Sequence, residues 1–410
     1  MSGCSSFVGA TRWVGQARAR QRLAPTIVVS VFALCSLHVA TARIQENSGP
    51  EPAYLTPIEL QFSRDGRKLF VVCEGSDSVV AIEAPAGRVI GQVKVGRKPS
   101  SITLSPDGST LYVANEWSDT ISEIDAPTFA VRRTIKAGWG PVALVADRSG
   151  KFLFVANAAS HSVAVMDLSS GKEIKRFLTQ RAPRHILLSR DGRTVYVSNV
   201  LPQLRPYDQP PVSELLAIDT SRQVVRERIL IPGVIELRQI AEAPSASGGF
   251  LLVPFMRPKN LNPLIRVEQG WVLTHGVAIV RPGRNPLEEV GRSKVTQVVL
   301  DDMDHFYADN FGAAFTPDGR LALVTQSGAN LVAVIDTAKL GARLRQFPAA
   351  EIANRLDSAR TFVVKRLGTD DDPRAVVIAP DGRLAYVANR LSDSLTVGDL
   401  AQLKVTRTID

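Results

Sequence analysis

"SPDGSTLYVANEWSDTISEID", Ser105 to Asp125, sets two apolar runs about a Pro-Asp-Gly turn and follows them with a third. Pro106 presets φ at the second turn position and Gly108 ends the turn, so the chain must double back as a hairpin. Leu111 to Ala114 is apolar at successive positions, as in a strand covered on both faces. Asn115 to Ser118 make the next turn, "TISEID" a third strand, and the charged "AVRRTIKAG" a fourth at an exposed edge.

The pattern returns as "SRDGRKLFVVCEGSDSVVAIE", "DRSGKFLFVANAASHSVAVMD" and "APDGRLAYVANRLSDSLTVGD". Pro57, Pro99, Pro141 and Pro183 head their units 42 residues apart. A period of about 40 residues with four strands per unit is that of a propeller blade. An acid ends each regular third strand: Glu83, Asp125, Asp167, Asp336 and Asp399. Units at 54–96, 97–138, 139–180, 181–233, 234–302, 303–367 and 368–410 predict an all-β fold, a seven-bladed propeller of four-stranded antiparallel blades. The fifth is the least regular, with "FLLVPF", "GVAIV" and "VTQVVL" as its strand candidates. Every unit runs from inner to outer strand in phase, so the ring is expected to close without a shared blade. Side-chain packing alone would then join blades one and seven, making that seam the expected place to open.

"LYVAN", "FVAN", "VYVSN" and "AYVAN", with the preceding Pro-Asp-Gly, resemble the YVTN-type β-propeller repeats of bacterial and archaeal surface-layer and periplasmic proteins. The resemblance covers roughly residues 54–410 and implies the fold, whereas members of the family differ widely in role. Some carry a cytochrome c module after the propeller, and propellers related to this repeat type include sugar-lactone hydrolases. The sequence here stops at "VTRTID" before any such module.

The first 42 residues hold Arg12, Arg18, Arg20 and Arg22 and no acid, then an apolar stretch from Thr26 to Leu37 and the small residues Ala40 and Ala42. That is the order of a signal peptide cleaved before Arg43, with residues 43–53 as a linker. The body is expected outside the cytoplasm, in the periplasm, at the cell surface or secreted, with no membrane span after cleavage. Loss of the leader leaves 45 basic residues against 40 acidic ones, a net +5 spread along the chain, which argues against nucleic-acid binding. Cys73 is the one cysteine of the mature chain, so it has no intrachain disulfide and no Cys-x-x-Cys-His haem site. Aligned with Ala114 and Ala156, it reads as a packed, inert thiol.

Three irregular segments interrupt the repeat on what should be one face: 200–213 in blade four, 257–275 in blade five, and 301–310 leading into blade six. Long loops on a rigid scaffold are where binding concentrates. They offer Arg205, Tyr207, Arg257, Trp271, His275, His305 and Tyr307 as anchors for a protein, a glycan or a small polar ligand. Glu59, Arg184, His185 and Arg374 follow the points where inner strands begin and should line the channel mouth. His275 and His305 with Asp301, Asp302 and Asp304 have no tight ligand spacing, so neither metal nor other cofactor is expected. His161 takes the turn-capping slot that Asp77, Asp119 and Asp393 hold in other blades. No Gly-x-Ser-x-Gly elbow or phosphate-cradling loop is present.

These features favour a monomeric extracytoplasmic binding or scaffold module over an enzyme. Two alternatives stand beside it: a lactonase-like hydrolase built on Glu59, His185 and Arg374, and a propeller that serves a separate cytochrome c.

Overall fold

The computed structural model describes residues 54–206, 209–245, 248–258, 273–283 and 292–410. The leader and linker, Tyr207 and Trp271 lie outside the described residues. Seven sheets of four consecutive strands form the seven-bladed propeller. In blade one the strands are Pro57–Phe62, Lys68–Cys73, Ser78–Glu83 and Arg88–Lys94, the first innermost. The apolar second strand is enclosed because blades pack on both its faces: Thr110–Asn115 of blade two is buried at every position. The charged fourth strand Ala130–Lys136 is buried only at Ile135. The core therefore lies between blades, as where Phe70, Val72 and Val79 of blade one meet Ile102, Leu111 and Val113 of blade two. No described helix is long and apolar enough to cross a membrane.

Antiparallel alternation places the connections between second and third strands, and the crossings to the next blade, at one end of the ring. This end is the upper face; the Pro-Asp-Gly hairpins lie at the other. Each inner strand begins with the same device. At the entry to each inner strand one residue has a φ between 50° and 63°, in all seven blades: Thr56, Lys98, Gly140, Ala182, Glu236, Asp309 and Asp372. A register shift comes next, as between Pro57 and Glu59, Pro99 and Ser101, and Pro183 and His185. Bulges of this kind bend a strand and re-aim its side chains. Here they turn the next residues into the channel.

A polar clamp joins successive blades. Asp77 accepts a hydrogen bond from Lys98 N at 2.7 Å, Asp119 from Gly140 N at 2.8 Å, and Asn330 from Asp372 N at 3.0 Å. His161 does the same through Nδ1, from Ala182 N at 3.1 Å, so its proton sits on Nε2. These residues do more than cap their own turns, since each reaches the following blade. Among the described residues no such clamp follows blades four and five, whose second connections carry the insertions.

The ring closes without a shared blade, but packing is not all that holds the seam. Asp393 of blade seven accepts from Thr56 N of blade one at 2.6 Å, the same clamp as elsewhere. Tyr386 donates its hydroxyl to Ala84 O at 2.6 Å, and Arg407 donates to Ala86 O and Pro85 O at 3.0 and 2.8 Å. Arg133 of blade two makes the equivalent latch to Leu168 O of blade three at 2.6 Å. The expectation of a uniquely weak seam is thus corrected: it carries the fastenings of an ordinary junction.

Blade five keeps Leu251–Pro258, Leu273–Arg281 and Lys294–Val299, close to the three candidates, while its inner strand shrinks to Ala241–Glu242. Leu237 stands where five of the blades have the leading proline. Blade six holds a feature the repeat did not foretell. Between its third and fourth strands run three helices, α1 (Thr337–Gln346), α2 (Ala349–Ile352) and α3 (Ala359–Phe362). Leu340, Ile352, Ala359 and Phe362 bury against Val277, Val298 and Leu300 of blade five. The insertion covers the blade with the poorest inner strand.

Candidate functional site

The bulged strand starts build a cavity of about 380 Å³ at the upper mouth of the channel. Its first ring takes one residue from each blade in turn: Ile58, Ser100, Val142, Arg184, Arg238, Phe311 and Arg374. The sequence places Glu59, Arg184, His185 and Arg374 here, and the structure brings all four together. It adds Arg238, Phe311, Glu74, Lys98, Glu116 and Arg390. Arg238 and Phe311 escape the repeat reading because Leu237 and Asn310 replace the marker proline in blades five and six. The left-handed residues Glu236 and Asp309 reveal their register only in the structure.

Three guanidiniums surround the Phe311 ring, with Arg374, Arg238 and Arg184 at 4.6, 4.8 and 5.6 Å from its centroid. Asp309 bridges Arg238 and Arg374, at 3.3 Å from each; Glu236 also pairs with Arg238, and Asp372 with Arg374 at 2.8 Å. Lys98 lies 3.2 Å from Glu116 and 3.9 Å from Glu74. Arg184 has no ion-pair partner among the described residues; burial, then the charge of Arg238, holds its pKa below the usual arginine value.

Glu59 is walled in by protein although channel solvent reaches part of it. Desolvation pushes its carboxyl up to about 7, against the opposing pull of the Leu60 N–H and Arg184. His185 goes the other way, down to about 3, through burial and then the neighbouring Arg184 charge. Its Nδ1 already accepts from Ile240 N at 3.1 Å, which leaves Nε2 protonated. A neutral imidazole with its one lone pair occupied is a poor proton acceptor. The trio of Glu59, His185 and Arg374 shares a cavity, but His185 is not its base.

The insertion residues behave differently from one another. Arg205 is exposed on the connection of blade four. Arg257 is tied down instead of free: it donates to Ala353 O at 2.7 Å, to Asn354 Oδ1 at 3.2 Å and to Gln297, and burial lowers its pKa to about 10. His275 is in the interior, its backbone N–H held by Asp301 at 2.7 Å, so it is no surface anchor. His305 is exposed and stacks on Tyr307 at 6.0 Å between centroids. Tyr307 lies beneath the Arg366 guanidinium at 3.6 Å and reaches Asp302 at 3.3 Å. Among the described residues no group of three His, Cys, Asp or Glu side chains is placed to hold a metal ion.

Cys73 is buried, and desolvation followed by the Asp393 charge pushes its thiol up to about 12. Iodoacetamide at about pH 8 should leave it unmodified in the folded chain and label it fully in urea, since only the thiolate reacts. Rapid labelling of folded protein by mass spectrometry would contradict this burial.

Fold and site define a seven-bladed propeller with a charged channel mouth on its loop-bearing face. Residues 55–173 match the family model described as Lactonase, 7-bladed beta-propeller, which supports a propeller repeat family. Hydrazine synthase subunit beta of Kuenenia stuttgartiensis is 28% identical over 183 residues, spanning 44% of this chain. The chain thus covers 45% of the length of that curated relative. A chain in the solved structure of Kuenenia stuttgartiensis hydrazine synthase superposes with a TM-score of 0.76 at 26% identity, covering 85% of this chain and 96% of that one.

Proposed function

We propose that this chain is an exported YVTN-type propeller that acts as a binding subunit, docking a protein partner within an enzyme complex through its upper face. The observation that carries the reading is where exposed apolar side chains fall. Of the large ones among the described residues, Val89, Ile90, Val131, Ile174, Val224, Val225, Leu230 and Val405 lie along outer strands. All the others lie on the upper face: Tyr54, Trp117, Trp139, Leu201, Leu204, Leu273, Met303, Phe306 and Leu391, with Leu178 at the upper end of an outer strand. Among the described residues none lies in a connection at the hairpin face, although Val89, Val131, Val224 and Val405 stand at the outer-strand ends nearest it. Trp139 is 71% exposed and Leu204 82%, and such residues cost solubility unless a partner covers them. The described parts of the segments 200–213 and 257–275, and the segment 301–310, belong to the same face, and the similarity to a protein named as a synthase subunit agrees with a protein partner. The leader supports an extracytoplasmic setting.

Affinity for the co-purifying subunit tests this. Trp139→Ser and Leu204→Ser should each weaken capture roughly 30-fold, the loss of a hot spot worth about 2 kcal/mol, with the fold unchanged by circular dichroism. A chain that migrates alone in native extract, or retains the same subunit after both substitutions, sinks the reading.

A lactone hydrolase is the second reading. The family-model match and a Glu59 carboxyl at about 7, where it accepts protons at neutral pH, favour it. It predicts turnover of a lactone panel that Glu59→Gln abolishes; absence of turnover removes it.

A further inference from the structure

Glu59, Glu74 and Glu116 come from blades one and two, while Arg184, Arg238 and Arg374 come from blades four, five and seven. The mouth therefore sets the three glutamates, with Lys98 among them, on blades one and two and the arginines on blades four, five and seven. Nearly all of these charges are satisfied within the protein. Lys98 pairs with Glu74 and Glu116, and Asp309, Glu236 and Asp372 pair with Arg238, Arg374 and Arg390. Two groups are left over. Arg184 is a half-buried guanidinium with two other guanidiniums for neighbours, and Glu59 is a walled-in carboxyl with no ion-pair partner among the described residues. An unpaired guanidinium withdrawn from bulk water is costly to hold unless an anion completes it.

We propose that the channel mouth binds a small carboxylate anion, held by the forked donors of Arg184 against the Phe311 platform, with protonated Glu59 donating a hydrogen bond from the opposite wall. A guanidinium takes a carboxylate through two parallel hydrogen bonds, and about 380 Å³ holds a molecule the size of succinate with water to spare. The site shares the upper face with the apolar docking surface, but none of the exposed apolar residues named for docking lines the cavity, so separate substitutions test the two.

The pH dependence has a definite sign. From blades one and two, Glu74, Glu116 and Lys98 face Glu59; from blade seven, Arg374 and Arg390; across the channel, Arg184, Arg238 and His185. His185 stays neutral between pH 6 and 8, because its pKa is about 3. Glu59 changes state in that interval, since its pKa is about 7. Protonated, it donates to the anion; ionised, it repels it. Affinity should fall about tenfold from pH 6 to pH 8, the change in the protonated fraction of a single group titrating at about 7.

Calorimetric titration of the purified chain with succinate and with acetate, and with ethanolamine as a cationic control, tests the proposal. One saturable carboxylate site is expected at pH 6, weakened at least tenfold by Arg184→Gln and about tenfold in wild type at pH 8. Glu59→Gln imitates the protonated acid, so it should retain the pH 6 affinity and lose the pH dependence. Should Arg184→Gln fail to fold, the wild-type profile against that of Glu59→Gln decides alone. No carboxylate binding at pH 6, a pH dependence that persists in Glu59→Gln, or binding of ethanolamine in place of carboxylate would each overturn it.

Discussion

Phe362→Ala is expected to lower the unfolding free energy by about 3–5 kcal/mol, the range for truncating a buried aromatic side chain. Phe362 is fully buried at the end of α3, packed with Leu340 and Ile352 on the flank of blade five. That blade has only a two-residue inner strand, so the helical insertion supplies apolar cover that the sheet itself lacks. Urea unfolding should show the loss as a lower midpoint, and limited proteolysis should gain cuts within residues 337–362. Leu204→Ala, at an exposed position, should cost under about 0.5 kcal/mol. If the two variants unfold together, the helices are an ornament and not a brace.

The insertion shows where the sequence stops being legible. In regular blades the acid that ends the third strand caps the turn three residues on: Asp125 accepts from Thr128 N at 2.7 Å, Asp167 from Ser170 N at 2.8 Å and Asp399 from Gln402 N at 2.8 Å. Asp336 makes the same bond to Lys339 N at 2.9 Å, yet here it caps α1. The first bond of a tight turn and the N-cap of a helix are one local geometry, and the next turn of chain decides between them. "TAKLGARLRQ" has helical spacing of Leu340 and Leu344, but the repeat hides it by setting Asp336 in its expected place.

The blades are readable because hairpin chemistry is local. Pro106 and Gly108 state the turn, and successive apolar residues state burial on both faces. The site is half readable for the same reason. Glu59, Arg184, His185 and Arg374 come one or two residues after the leading prolines Pro57, Pro183 and Pro373, so the period assigns them to the channel. Arg238 and Phe311 come after Leu237 and Asn310, and only the left-handed backbone before them shows the shared register. Arg257 and His275 are misleading through their neighbours: a loop-rich sequence suggests exposure, while Gln297, Ala353 and Asp301, distant in sequence, draw them inward.

Tyr386→Ala should be the more damaging change, because it removes packing and a buried hydrogen bond at the place where the ring closes. Tyr386 is fully buried, stands edge-on to Phe62 of blade one at 5.6 Å, and donates to Ala84 O. Truncation costs about 3–5 kcal/mol in packing and about 1 kcal/mol more for the lost hydrogen bond to Ala84 O, which keeps only the longer bond from Arg407 at 3.3 Å. In wild type, clamp and latch make the seam equal to its neighbours, so amide exchange in residues 57–94 and 373–409 should match that of blades two and three. In Tyr386→Ala exchange should rise across those two segments first, since no backbone ladder crosses the seam to hold them. Tyr386→Phe separates the contributions, losing only the hydrogen bond and so about 1 kcal/mol. Faster exchange in blades one and seven of the wild type would show that packing alone carries the seam after all. A uniform rise around the ring in Tyr386→Ala would show instead that the seven blades unfold as one unit with no preferred place to open.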